Sequence, residues 1–193
     1  MRTPAAITRV ADSLRAVHAG PAIPSRFDAF RVVEAYRATA ATHGISTPPA
    51  YDEAKQIADR VERARGVTPE RPCHNDLLNA NFIDDGHLIR IVDWEYAGMG
   101  DVFFDLANFA ISHEFSSAQM TLLLEAYFGD VRPEHERALQ LMRFMSDLRE
   151  ATWGVVQQAV SELDFDFAGY AADHFERLAA TAAEPAFQEA LEG

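Results

Sequence analysis

The sequence predicts a mainly α protein carrying one small β-hairpin, an α+β arrangement, and three observations predict it. Proline breaks cut the chain up to residue 70 into helical segments. A short stretch between Pro72 and Val92 carries compact apolar runs around an Asp-Gly pair. Everything after Asp101 returns to apolar residues at three- and four-residue steps.

Taken in order, helices are expected over residues 5–19, 27–43 and 51–65, the last following the punctuation Thr47-Pro48-Pro49. The runs Asn81-Phe82-Ile83 and Leu88-Ile89-Arg90-Ile91-Val92 flank Asp84-Asp85-Gly86-His87, a strong hairpin signal. With Asp85-Gly86 as the two turn residues, Asp84 pairs with His87 and the ladder sets Asp93 opposite Leu78. Ser116 can cap a helix that stops at Gly129, because its hydroxyl satisfies free amides and glycine permits the left-handed exit. Pro133 opens a long helix in which Leu141, Met145, Leu148, Thr152 and Val155 recur at helical spacing. A final helix covers residues 167–180.

The 193 residues suffice for one substantial core, and 48% hydrophobic with 24% charged residues is an ordinary globular mixture. One globular domain is therefore expected. No run is long and apolar enough for a membrane span, and the start does not read as a signal-peptide core. With a single cysteine, Cys73, which excludes an internal disulfide and reads as a small buried hydrophobe, a cytoplasmic location is expected. The net charge of −13 repels phosphates and excludes nucleic acid as a partner class, while it favours cationic ligands and divalent metals.

The chemistry concentrates in Cys73-His74-Asn75-Asp76-Leu77-Leu78-Asn79-Ala80-Asn81 and, beyond the hairpin, Val92-Asp93-Trp94-Glu95-Tyr96. Two carboxylates and an amide, Asp76, Asp93 and Asn81, are expected to converge at one strand end. Such a cluster suits Mg²⁺, which takes oxygen ligands from one or two side chains and completes its shell with water and phosphates. The remaining carboxylate can orient a hydroxyl, which is most of what phosphoryl transfer asks of this part of an enzyme. Any one of the three alone is better read as a turn cap; their joint spacing is what points to a site.

His74-x-Asp76-x-x-x-x-Asn81 resembles the catalytic-loop motif shared by protein kinases, aminoglycoside phosphotransferases and choline kinases. By that resemblance Asp76 is the catalytic base, His74 braces the loop, and Asn81 and Asp93 hold Mg²⁺ and with it ATP. The fold implied is a protein-kinase-like C-terminal lobe. Ile91-Val92-Asp93-Trp94-Glu95-Tyr96-Ala97-Gly98 and Phe104-Asp105-Leu106-Ala107-Asn108 are closer to the choline/ethanolamine kinase signature than to the aminoglycoside one. In that family Asp105 braces the catalytic loop. The segments around Trp153 and Tyr170 are similar to those whose aromatics enclose a quaternary ammonium, which implies a small cationic amino-alcohol as substrate. Glu114, with Glu95 as the alternative, is the acid expected to face the ammonium. Ordinary core packing is the competing reading of the two aromatics.

The resemblance runs from about residue 5, where Ala11 to His18 is similar to the family's first C-lobe helix, through Leu178. The nucleotide-holding N-terminal lobe has no visible counterpart, and Lys55, the single lysine, sits in a helical segment. A start late in a longer protein, a separately supplied lobe and a loss of kinase activity are the three explanations, the first being favoured. Two further readings stay open: a non-catalytic ligand-binding or interaction domain derived from a kinase lobe, and an aminoglycoside or sugar phosphotransferase. Apolar surface around Phe27, Phe30 and Val33 is expected to be exposed and to favour a homo-oligomer.

Overall fold

The computed structural model describes residues 1–193 and resolves two compact units: Met1–Phe27 with Val67–Met142, and Asp28–Gly66 with Arg143–Gly193. The first unit is built on helix α1 (Pro4–His18). Thr3 caps it, its hydroxyl accepting from the Ala6 N–H at 3.3 Å, and Pro4 supplies a pre-set backbone angle at the first helical position. Ala6, Ile7, Val10, Ala11, Leu14 and His18 are buried, a stripe at three- and four-residue steps that packs chiefly on α5 (Ser117–Phe128). Burying an Ile, Val or Leu side chain contributes about 1.5–3 kcal/mol, so this stripe is a main source of the unit's stability. Ser116 and Gln119 form a reciprocal capping box at the start of α5, and the helix exits at Gly129 with φ 76°.

Four short strands complete this unit: β1 (Arg71–Cys73), β2 (Phe82–Asp84), β3 (Ile89–Ile91) and β4 (Gly98–Gly100). β1 pairs antiparallel with β4, and β2 with β3. The β1–β4 pair was not foreseen. Proline in one strand and glycines in the other suppress every local strand signal, and the pairing encloses the whole segment from His74 to Ala97. Gly98 is required there, since a Cβ would lie 2.8 Å from backbone atoms of Arg26 and Phe27. The buried helix α4 (Val102–Ser112) follows, capped by Asp101, which accepts from Phe103 N–H at 3.0 Å.

The hairpin exists, but its register differs from the expectation. Phe82 pairs with Ile91, Ile83 with Arg90 and Asp84 with Ile89, so the loop holds four residues and Asp84 does not face His87. The cause is side-chain competition for the turn amides. Asp84 Oδ1 accepts from Gly86 N–H at 2.8 Å, and Asp85 Oδ1 accepts from His87 and Leu88 N–H at 3.0 and 2.7 Å. These bonds, led by that from Leu88 and joined by Arg90, hold the Asp85 carboxyl down to about 2. The register moves by two positions, which keeps every side chain on its expected face.

The second unit is helical: α2 (Ala29–Thr42), α3 (Ala50–Arg65), residues 143–160 of α6 (Pro133–Val160), α7 (Phe167–Ala183) and α8 (Pro185–Glu192). α3 buries Tyr51, Ala54, Ala58 and Val61 and packs on α7 and α8. α8 was not expected, since the final helix was set over residues 167–180; Pro185 occupies the first position of a further one. The predicted exposure of an apolar patch is corrected too. Val33 is fully buried, Phe30 is half-buried, and Phe27, also half-buried, packs on Phe104 with ring centroids 5.0 Å apart. Mainly α with a small β component describes the molecule.

Candidate active site

The segment between β1 and β2 is a loop whose backbone is pinned at His74, Asn75 and Leu77 by one face of α4. Asp105, fully buried, accepts from the backbone N–H of His74 at 2.8 Å and of Asn75 at 2.7 Å, one on each carboxylate oxygen. One turn further along, the buried Asn108 side chain accepts from Leu77 N–H. Asp105 and Asn108 are three apart and therefore share a face. Asn75 adopts φ 66°, a left-handed conformation that asparagine tolerates better than most residues, and its side-chain amide donates to Tyr96 O at 3.1 Å.

Asp76 and Asn81 are brought together. Both are buried, and Asn81 Nδ2 donates to the Asp76 backbone oxygen at 2.8 Å and to its Oδ2 at 3.0 Å. His74 is buried below them. Its Nδ1 accepts from Asp76 N–H at 3.3 Å, so Nε2 carries the proton and donates to Val92 O at 3.0 Å. Val92 N–H in turn donates to Asn81 O at 3.0 Å. The residue preceding Asp93 is thus tied to both ends of the loop, at His74 and at Asn81. Asp93 is exposed and also left-handed, at φ 65°. Trp94 stands edge-on to His74, with centroids 4.6 Å apart and planes at 65°.

Asn81 and Asp93 offer hard oxygen donors of the kind Mg²⁺ takes. With Nδ2 of Asn81 spent on Asp76, the remaining amide atom is an acceptor, so the donor set fits that ion. A second group, His18, Cys73 and Asp105, also places ligand atoms within 4.8 Å of one another. It does not fit a metal: burial, with the Asp105 charge adding to it, pushes the Cys73 thiol far up and keeps it protonated, and the Asp105 oxygens are already spent on N–H donors.

Glu95 is exposed on the turn after Asp93. Glu114 lies just beyond α4 at φ 51°, with its side chain 78% exposed and paired to Arg2 at 3.4 Å. Its charge is therefore shared with a guanidinium and open to water. Trp153 and Tyr170 belong to the second unit, where they meet edge to face with centroids 5.7 Å apart. Phe167 lies 5.8 Å from Trp153 and Phe165 6.0 Å from Tyr170. The Tyr170 hydroxyl donates to the buried Glu150 at 2.8 Å, and Arg149 donates to the other Glu150 oxygen at 2.7 Å. Sequence reasoning missed Glu150 and Asn108. The available signal for Asn108 was its three-residue spacing from Asp105 in an otherwise apolar helix.

Residues 2–141 match the phosphotransferase enzyme family. The chain belongs to that family. Among curated relatives, the LicA homolog of Metamycoplasma hominis is 42% identical over 71 residues, 37% of this chain and 28% of that protein. Human ethanolamine kinase 2 is 37% identical over 125 residues, 53% of this chain and 32% of that protein. The chain therefore spans well under half the length of these curated relatives. A crystal structure of a choline/ethanolamine kinase family protein from Mesorhizobium loti superposes with a TM-score of 0.89 at 32% identity, covering 98% of this chain and 66% of that one. The choline kinase LicA of Streptococcus pneumoniae, at 22% identity and a TM-score of 0.77, shares the fold over 93% of this chain. A kinase-like fold follows from these matches, and the relatives named are choline and ethanolamine kinases and LicA proteins.

Proposed function

We propose that this phosphotransferase transfers the γ-phosphoryl group of ATP to the hydroxyl of a small amino-alcohol of the choline or ethanolamine type. The observation that carries the reading is the pair Asp76–Asn81 on a loop held rigid by Asp105 and Asn108. Asp76 accepts the hydroxyl proton as the oxygen attacks phosphorus, and its own oxygen Oδ2 is oriented for this by the Asn81 amide. Asn81 and Asp93 hold Mg²⁺, which when bound supplies positive charge to the phosphate oxygens. His74 keeps the Asp76 backbone and the Asp93 strand end in one arrangement through its two ring nitrogens.

The amino-alcohol reading is supported by Trp153 and Tyr170, both half-buried, whose ring faces attract a desolvated ammonium by about 2 kcal/mol. Glu150 fixes the Tyr170 ring through its hydroxyl. The named kinases among the relatives and the net charge of −13 lean the same way. Glu114, already engaged by Arg2, is the weaker of the acids proposed to face the cation, and Glu95 is the other.

The test is ATP-dependent phosphorylation of choline and ethanolamine, measured on the chain alone and joined to any in-frame coding sequence preceding Met1. Asp76→Asn is expected to lower kcat at least a thousandfold with little change in KM. Equal turnover in the two proteins would remove Asp76 from the chemistry.

A further inference from the structure

We infer that His18 and Tyr127 are positioning residues for the catalytic loop, acting through Asp105 as a hydrogen-bonded chain from α5 through the end of α1. The effect on turnover rests on the phosphotransferase reading; the effect on the loop does not. Tyr127 Oη lies 2.7 Å from His18 Nδ1, and His18 Nε2 lies 3.0 Å from Asp105 Oδ2. His18 and Asp105 are buried, with side chains 3% and 0% exposed.

The proton arrangement follows from the chemistry of the three groups. Tyr127 is kept as a phenol, since burial pushes its ionisation up. Its one hydrogen-bond partner is His18 Nδ1, so the O–H points there and Nδ1 is the acceptor. The imidazole proton is then on Nε2 and is donated to Asp105. Every donor in the chain points the same way, an arrangement in which each bond polarises the next.

Asp105 thereby receives three donors: His18 on Oδ2, His74 N–H also on Oδ2, and Asn75 N–H on Oδ1. Two of these are the backbone amides immediately before Asp76. A carboxylate held by the amides alone is free to rock about its terminal torsion, which is broad. The bond from His18 fixes that torsion, and Tyr127 fixes the imidazole. The direction of Asp76 is therefore set in part by residues 58 and 51 positions away from it in sequence, neither of which meets the reacting atoms.

The experiment measures hydrogen exchange at the His74 and Asn75 amides together with steady-state kinetics, in wild type, Tyr127→Phe, His18→Phe and His18→Gln. The expected result is exchange at those two amides faster by about tenfold in both phenylalanine variants, while amides within α5 stay as in wild type. kcat falls about 10- to 100-fold in His18→Phe, with KM for both substrates unchanged and partial recovery in His18→Gln, whose amide restores a donor. Tyr127→Phe shows a smaller loss in the same parameter, and serves as the test should His18→Phe fail to fold. Unchanged exchange at His74 and Asn75 in Tyr127→Phe and in every folded His18 variant overturns the inference. Faster exchange in a protein that has no turnover even as wild type upholds the chain and removes the phosphotransferase reading instead.

Discussion

Replacing Asp105 with asparagine tests the loop anchor most directly. The carboxylate serves three donors on two oxygens, at 2.7, 2.8 and 3.0 Å. An amide has one oxygen, so in its better orientation Oδ1 takes the place of Oδ2, keeps His74 and His18, and turns its NH₂ toward the Asn75 N–H. An orphaned buried N–H costs about 1–3 kcal/mol, and converting two charge-assisted bonds to neutral ones costs about 1 kcal/mol each. Removing a buried charge offsets part of this. The net expectation is about 3 kcal/mol of lost stability, read as a lower urea midpoint at constant m-value. A loss under about 1 kcal/mol at unchanged m-value would show that the three bonds do not hold the loop and refute the reasoning.

His113 is buried among Phe82, Phe109 and Phe115, and burial holds its ionisation down to about 4 despite the bond from Nδ1 to Phe109 O. Because the unfolded chain takes up its proton near 6.5, the fold loses stability as pH falls from about 6.5 to about 4, by up to about 3 kcal/mol. Urea midpoints across that range are expected to fall less in His113→Phe, and equal slopes would refute the assignment. Trp153→Ala is expected to raise KM for the amino-alcohol about 30-fold, in line with loss of about 2 kcal/mol, and to leave KM for ATP alone; an equal rise in both would point to misfolding. Gly98→Ala places a methyl 2.8 Å from the Arg26 and Phe27 backbone and is expected to cost about 1–3 kcal/mol, measured by thermal unfolding.

Helices and their caps were legible because their signals are local: Ser116, Gly129 and Pro133 stand where short-range backbone needs put them. The β1–β4 pair was not, since its partners lie more than twenty residues apart and neither strand has a side-chain pattern. The hairpin was readable as a hairpin, yet its register was decided by which amides Asp84 and Asp85 captured. In the candidate site, residues 74, 76, 81 and 93 carry the family motif in the sequence itself, and the structure brings Asp76 and Asn81 together. The family resemblance also named Asp105 as the brace of the loop, but not what holds Asp105 itself, because it meets His18 across 87 positions and no periodicity encodes such a meeting. For Glu114 the family pattern suggested an acid facing an ammonium, whereas the ion pair it makes with Arg2 at the surface has no local sequence signal.

The left-handed backbone at Asn75 restricts what natural variation can place beside Asp76. A β-branched residue there would clash with its own carbonyl neighbours at a cost of a kilocalorie or more. Glycine would accept the angle but lose the link to Tyr96. In a saturation library selected for function, position 75 should therefore admit a handful of small or amide-bearing codons, while its exposed neighbours at 79 and 80 accept many more.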